Sequence, residues 1–170
     1  MKSNKLQSLI SVLFLSSILA ILSTAHASTS KVYHLKGEAP VGSKIPTIEA
    51  VSPISFSKRF SSLSNEEKAA FKAKYEALGV NDTPPFPSMG LRSIYKPVIK
   101  ANKDLNATGS LHLTATINAN GFVESVKVIE SPSVELTASA ERILRSTQFD
   151  PASCNGVACE MTFPIEITFK

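Results

Sequence analysis

The last third of the chain alternates between apolar and polar residues with a period of two. From Gly109, Leu111, Leu113, Ala115 and Ile117 interleave with Ser110, His112, Thr114 and Thr116, predicting a strand with one buried face. Asn118-Ala119-Asn120-Gly121 follows, and Asn-Gly is the strongest short hairpin signal. The stretch 122–129, FVESVKVI, is the expected return strand. Ser131-Pro132-Ser133 breaks it and opens a helix expected over 134–147. There Leu136, Ala140, Ile143 and Leu144 form one stripe, with Glu141, Arg142 and Arg145 turned to water. Phe149-Asp150-Pro151 ends that helix. Met161, Phe163, Ile165, Ile167 and Phe169 then alternate with Thr162, Pro164, Glu166 and Thr168, predicting a last strand.

Upstream the period is helical. Ser64-Asn65-Glu66-Glu67 is a capping box. Phe71, Tyr75 and Leu78 continue it as a stripe, alanines 69, 70, 73 and 77 favour the helix, and Gly79 suits its C-terminal cap. The expected helix therefore runs over 64–78. NDTPPFP at 81–87 interrupts regular structure. Leu91, Ile94, Tyr95, Val98 and Ile99 predict a second, short helix reaching about Asn102, with Pro97 kinking or ending its early part. Residues 28–62 carry Pro40, Pro46 and Pro53 and no sustained period, so they read as a loosely structured lead-in with extended pieces at 44–51 and 54–56. The fold class is α+β, a small antiparallel sheet with helices in the order helix-strand-strand-helix-strand.

The N-terminus has a different character. Lys2 and Lys5 precede an apolar run from Leu9 to Leu22, and small residues follow in an A-x-A arrangement. That is the order of a secretory signal, with cleavage expected between Ala27 and Ser28. The alternative is a retained membrane anchor, for which the run is short against the ~20 residues a bilayer needs. The expected division is a signal at 1–27, the lead-in at 28–62, a helical segment with its Pro-rich turn at 63–108, and a domain at 109–170. Cleavage removes two lysines, so the formal charge of +4 becomes +2. The remaining Lys and Arg are dispersed, which argues against nucleic acid as a partner. Membrane contact is expected only if the N-terminal segment stays uncleaved.

Hydrophobic residues at 43% and charged residues at 19% exclude a wholly disordered chain, a collagen and a long coiled coil. Two cysteines exclude a four-thiolate zinc site. In an oxidising compartment Cys154 and Cys159 are expected to bridge across Asn155-Gly156. C-x4-C also lacks the spacing of a dithiol redox motif. No H-E-x-x-H, P-loop, G-x-G-x-x-G or G-x-S-x-G occurs. Glu124, Glu130 and Glu166 read as solvent-facing carboxylates rather than an acid/base pair. The expectation is a protein with no catalytic residues, no metal and no cofactor.

Residues 109–169 resemble the C-terminal domain of the TonB energy-transducer family. The likeness rests on Gly109 opening an alternating strand, the Asn120-Gly121 hairpin, the valine-rich return to Ser131, Phe149-x-Pro151-Ala152 after the helix, the Asn155-Gly156 turn and a final strand ending in Phe169. Pro84-Pro85-Phe86-Pro87 is similar to the P-x-Y-P element that precedes the domain. The resemblance implies a non-catalytic domain in the periplasm that grips a segment of an outer-membrane transporter, partly by taking it as a strand beside its own last strand. On this chain that edge is Ile165, Glu166, Ile167, Thr168 and Phe169. Two features depart from the family plan. No Pro-rich spacer follows the N-terminal segment, and Pro164 lies inside the last strand, where its missing N–H must face the open edge or a kink.

Three functions compete at this level. The first is a periplasmic module binding an envelope protein by strand addition. The second is a membrane-anchored energy transducer with an uncleaved N-terminus. The third is a small periplasmic enzyme or inhibitor sharing only the fold.

Overall fold

The computed structural model describes residues 31–36 and 49–170. The expected signal, its Ala27/Ser28 cleavage point and the middle of the lead-in lie outside these residues. The elements, in order, are β1 (Tyr33–Lys36), β2 (Glu49–Ser52), a 3-10 turn (Phe60–Ser62), α1 (Asn65–Lys72), β3 (Phe86–Pro87), α2 (Arg92–Leu105), β4 (Gly109–Ile117), β5 (Val123–Glu130), α3 (Val134–Ser146), β6 (Phe149–Asp150), β7 (Ala152–Cys154), β8 (Val157–Cys159) and β9 (Met161–Phe169). This is an α+β fold.

Its frame is a three-stranded antiparallel sheet in the order β5-β4-β9. The period-two alternation predicted for 109–117 and 161–169 is realised. Leu111, Leu113, Ala115 and Ile117 face the core beside Phe163, Ile165, Ile167 and Phe169, all buried. β4 and β9 pair without interruption from Gly109↔Phe169 to Ile117↔Met161. β5 is less regular than its sequence suggests. The register with β4 shifts between His112 and Leu113 and again between Thr116 and Ile117. Each shift leaves one β5 residue without a partner, so Val123, Val126 and Val128 oppose Ile117, Ala115 and Leu113 while Ile129 stays half exposed.

α2 and α3 pack against each other over the apolar face of the sheet. α3 begins as expected, the Ser133 hydroxyl accepting from Leu136 N–H at 3.0 Å, and buries Leu136, Ala140 and Leu144 at successive i+4 positions. α2 runs through Pro97 and one turn further than predicted, burying Ile94, Tyr95, Val98, Ile99 and Asn102. Its end is fixed by buried Asn102, whose amide bonds both N–H and C=O of Ala107 around left-handed Asn106. Gly121, at φ +81°, seats the β4–β5 hairpin against Phe149, whose carbonyl oxygen would lie 2.1 Å from any Cβ there.

Two expectations need correction. The capping box at Ser64 and Glu67 is present, but α1 stops at Lys72 rather than continuing to Leu78. Lys74 N–H and Tyr75 N–H turn to the carbonyls three residues back, which tightens and ends the helix. Tyr75 nevertheless stacks on Phe71, with ring centroids 5.7 Å apart. Tertiary ties override the helix-favouring alanines, since the Lys72 ammonium bonds the Asp82 carbonyl and Lys74 leaves for β9. The second correction concerns the lead-in. In its described residues β1 and β2 form an antiparallel hairpin, and Leu35, Ala50, Ile54 and Phe56 are buried in the same core as the sheet.

The Pro-rich turn is also built in. Phe86 lies at the centre of an aromatic cluster with Phe60 and Phe71, its ring 5.0 Å from that of Phe71. Thr83 and Ser153 exchange backbone hydrogen bonds, and β3 pairs with β6.

Candidate partner-binding edge

β9 has β4 on one side and, among the described residues, no hydrogen-bonded strand on the other. The five residues put forward from the sequence divide sharply here. Ile165, Ile167 and Phe169 point into the core, while Glu166 and Thr168 are exposed. Only two of the five therefore present side chains outward, and what the edge can offer along its length is backbone.

Two observations fix which backbone groups face outward. Pro164 sits opposite Thr114 with no break in register, so its nitrogen faces away from β4. The Glu166 backbone N–H donates to the Tyr95 hydroxyl of α2, so it too faces away from β4. Backbone direction repeats every second residue, which places the Thr168 N–H on the same side. Of these three positions, Pro164 has no N–H, Glu166 is held by Tyr95, and Thr168 retains its N–H.

The flank of this edge is furnished by residues the sequence did not single out. Tyr95 is buried, which pushes its hydroxyl up to about 12 despite the N–H it accepts. Phe56 packs edge-on against the Tyr95 ring at 5.4 Å. β2 comes within 8 Å of β9, Cα to Cα, without joining its sheet. Lys74 reaches Glu166 at 3.0 Å, and that ammonium, with His112 further off at 3.7 Å, holds the Glu166 carboxyl below the usual carboxylate range. Glu166 is thus exposed, as expected of a surface carboxylate, but engaged.

A second group ties the N-terminal residues together. The buried Glu67 carboxylate accepts from Ser55 N–H at 3.0 Å, Ser64 N–H at 2.8 Å and the Lys58 ammonium at 3.1 Å. It also hydrogen-bonds the Tyr33 side chain of β1. Burial opposes its charge, but the Ser64 N–H, Tyr33, Lys58 and the Ser55 N–H outweigh that and bring the carboxyl down to about 2. The sequence identifies Glu67 only as the third residue of a capping box. Its long-range partners have no local signal.

Cys154 and Cys159 form a disulfide, with Cα atoms 5.8 Å apart. The expected turn is there, Asn155 and Gly156 both adopting positive φ between β7 and β8. Asp82 accepts from Asn155 N–H at 2.9 Å and pins this hairpin to the Pro-rich turn. Among the described residues no cluster of three His, Cys, Asp or Glu could hold a metal, and no helix is long and apolar enough to cross a membrane. Glu124 and Glu130 on β5 are exposed and form no pair with Glu166 across the sheet.

Residues 100–170 match the family described as Gram-negative bacterial TonB protein C-terminal. No curated protein matches the chain.

Proposed function

We propose, from the match of residues 100–170 to the family described as Gram-negative bacterial TonB protein C-terminal, that this protein is a non-enzymatic, transport-related protein of the envelope and receives an extended segment of an envelope protein beside β9. The partner class is an outer-membrane transporter, and the binding mode is strand addition along Ile165–Phe169. The observation that carries this reading is the position of β9 at the edge of its sheet, with the Thr168 N–H directed away from β4. The core-facing side chains of Ile165, Ile167 and Phe169 shape the strand. Recognition then falls to the backbone, with Glu166 and Thr168 the side chains beside it.

On this reading the chain works in the periplasm after removal of residues 1–27, which the mass of the mature N-terminus tests. A chain beginning at Ser28 agrees, and an intact Met1 contradicts it. The binding mode is tested in cells with a photo-crosslinking residue at Thr168 and, as a control on the opposite edge strand, at Lys127. Adducts with outer-membrane transporters from position 168 and not from 127 are expected. Equal adducts at both, or none at 168, would overturn the assignment.

A further inference from the structure

The chain has two Asn-Gly pairs, both in hairpin turns, and the fold treats them in opposite ways. Asn-Gly is the pair in which the following backbone nitrogen most readily reaches the Asn carboxamide carbon, because glycine puts no side chain in the way and lets the backbone turn freely. In the β4–β5 turn that nitrogen is committed. Gly121 is buried, its N–H donates to the Asn118 carbonyl at 2.9 Å, and its own carbonyl accepts from Phe149 N–H at 3.1 Å. The Gln148 side-chain amide donates to the same carbonyl at 3.3 Å. The contact with Phe149 that excludes a Cβ on Gly121 also leaves the backbone no room to rotate.

The β7–β8 turn is the reverse case. Asn155 and Gly156 are exposed, and a Cβ on Gly156 would meet nothing within 4 Å. Among the described residues neither the Gly156 N–H nor the Asn155 carboxamide has a hydrogen-bond partner. The nucleophile and the group it would attack are therefore both uncommitted, side by side in an exposed two-residue turn that can flex without disturbing the core. What touches the turn from outside is Asp82, whose carboxylate accepts from Asn155 N–H at 2.9 Å.

We propose that Asn155 is a site of spontaneous covalent modification, converting to aspartate and isoaspartate through a cyclic imide, while the fold protects Asn120 from the same reaction. The Gly156 backbone nitrogen gives up its proton to hydroxide and attacks Cγ of Asn155. The new C–N bond closes the imide, and the carboxamide nitrogen takes up a proton and leaves as ammonia. Water then opens the imide at either carbonyl. One opening gives aspartate; the other gives isoaspartate, whose main chain runs through the former side chain and is longer by one methylene. Both products put a carboxylate on the residue whose N–H the Asp82 carboxylate holds, so like charges meet there. Isoaspartate also lengthens the turn between Cys154 and Val157, the paired residues whose register a two-residue loop sets. The hairpin then loses its Asp82 tie and keeps the backbone exchange between Thr83 and Ser153, with the Cys154–Cys159 bridge confining the change to the hairpin. This inference is independent of the reading of β9.

The test incubates the mature chain at mildly alkaline pH and physiological temperature, folded and in urea. Peptide mapping by mass spectrometry then separates asparagine, aspartate and isoaspartate at residues 155 and 120. In the folded chain residue 155 is expected to convert about tenfold faster than residue 120, or more, and in urea the two rates should converge. Conversion at 155 no faster than at 120 in the folded chain would overturn the proposal. A preference for 155 that persists undiminished in urea would overturn its structural basis, because flanking sequence and not the fold would then set it. The consequence is checked on the modified chain, separated by its added charge. Amide exchange at residue 155 should be several-fold faster than in the unmodified chain, with Leu113 in β4 unchanged. Equal protection at residue 155 in the two forms would overturn the loss of the Asp82 tie.

Discussion

The Tyr95 hydroxyl accepts the backbone N–H of Glu166 on the side of β9 that faces away from β4. A helix side chain therefore occupies one of the few hydrogen-bonding positions an incoming strand could use. Tyr95→Phe keeps the packing against Phe56 and frees that N–H. The expected cost in urea unfolding is about 1 kcal/mol, with faster exchange of the Glu166 amide. Tyr75 makes a useful contrast, because its buried hydroxyl has no partner among the described residues and burial pushes its pKa up. Tyr75→Phe is expected to be neutral or stabilising by up to about 1 kcal/mol, since it removes an unsatisfied polar atom and keeps the ring.

Substitutions along β9 should separate by parity. Ile167 is buried opposite Leu111, so Ile167→Lys places a charge in the core and should cost about 3 kcal/mol or more. Loss of binding in that variant would report unfolding rather than an altered edge. Thr168→Pro removes an N–H that β4 does not use, and should cost less than about 1 kcal/mol. Thermal melts of the two variants check the difference.

Glu67 should make stability depend on acid. Its carboxyl lies at about 2 in the fold against an ordinary 4.5, so the folded value is the depressed one. The resulting stabilisation is fully present above about 4.5 and is lost as pH falls from there toward 2, on the order of 3 kcal/mol in all. Glu67→Gln should flatten the stability profile across that window, as measured by denaturant midpoints at pH 5, 4 and 3. Because Glu67 holds Tyr33 as well as Ser55 and Ser64, exchange at Leu35 should quicken over the same range.

The disulfide is a local staple. Cys154→Ser with Cys159→Ser should lower stability by about 2 kcal/mol, from the short loop it closes. β9 should keep its register, because Asp82 and Thr83 still hold the β7–β8 hairpin through Asn155 and Ser153. Chemical denaturation with amide exchange at Leu113 checks both statements.

What could be read beforehand divides along the range of the interactions. The strand at 109–117, the α3 cap at Ser133 and the Asn155-Gly156 turn are written in local alternation and turn chemistry, and the structure has them where expected. Pro164 is a local signal too, and the unbroken register opposite Thr114 agrees with a nitrogen turned away from β4 rather than with a kink. The two β5 bulges have no local signal, because which of its valines pack on the core, Val123 and Val126 but not Val128, is decided only once β4 sets the register. α1 was overextended because Lys72 and Lys74 are drawn away by Asp82 and Glu166, partners remote in sequence. The lead-in has no periodicity, so nothing in it foretold that Tyr33 would reach Glu67 or that Phe56 would pack on Tyr95. The resemblance points to the β9 edge, while the approach of Tyr95 and β2 to that strand belongs to tertiary structure alone.

The most direct test of the central claim compares Thr168→Pro with Thr168→Ala in cells, by crosslinking and recovery of the transporter captured at the β9 edge. Both variants lose the threonine side chain, and only the proline loses the outward N–H. The account predicts that Thr168→Ala retains the partner at close to wild-type yield and that Thr168→Pro, with its sheet intact by amide exchange at Leu111, loses it. Full recovery of the partner by Thr168→Pro would contradict strand addition at β9.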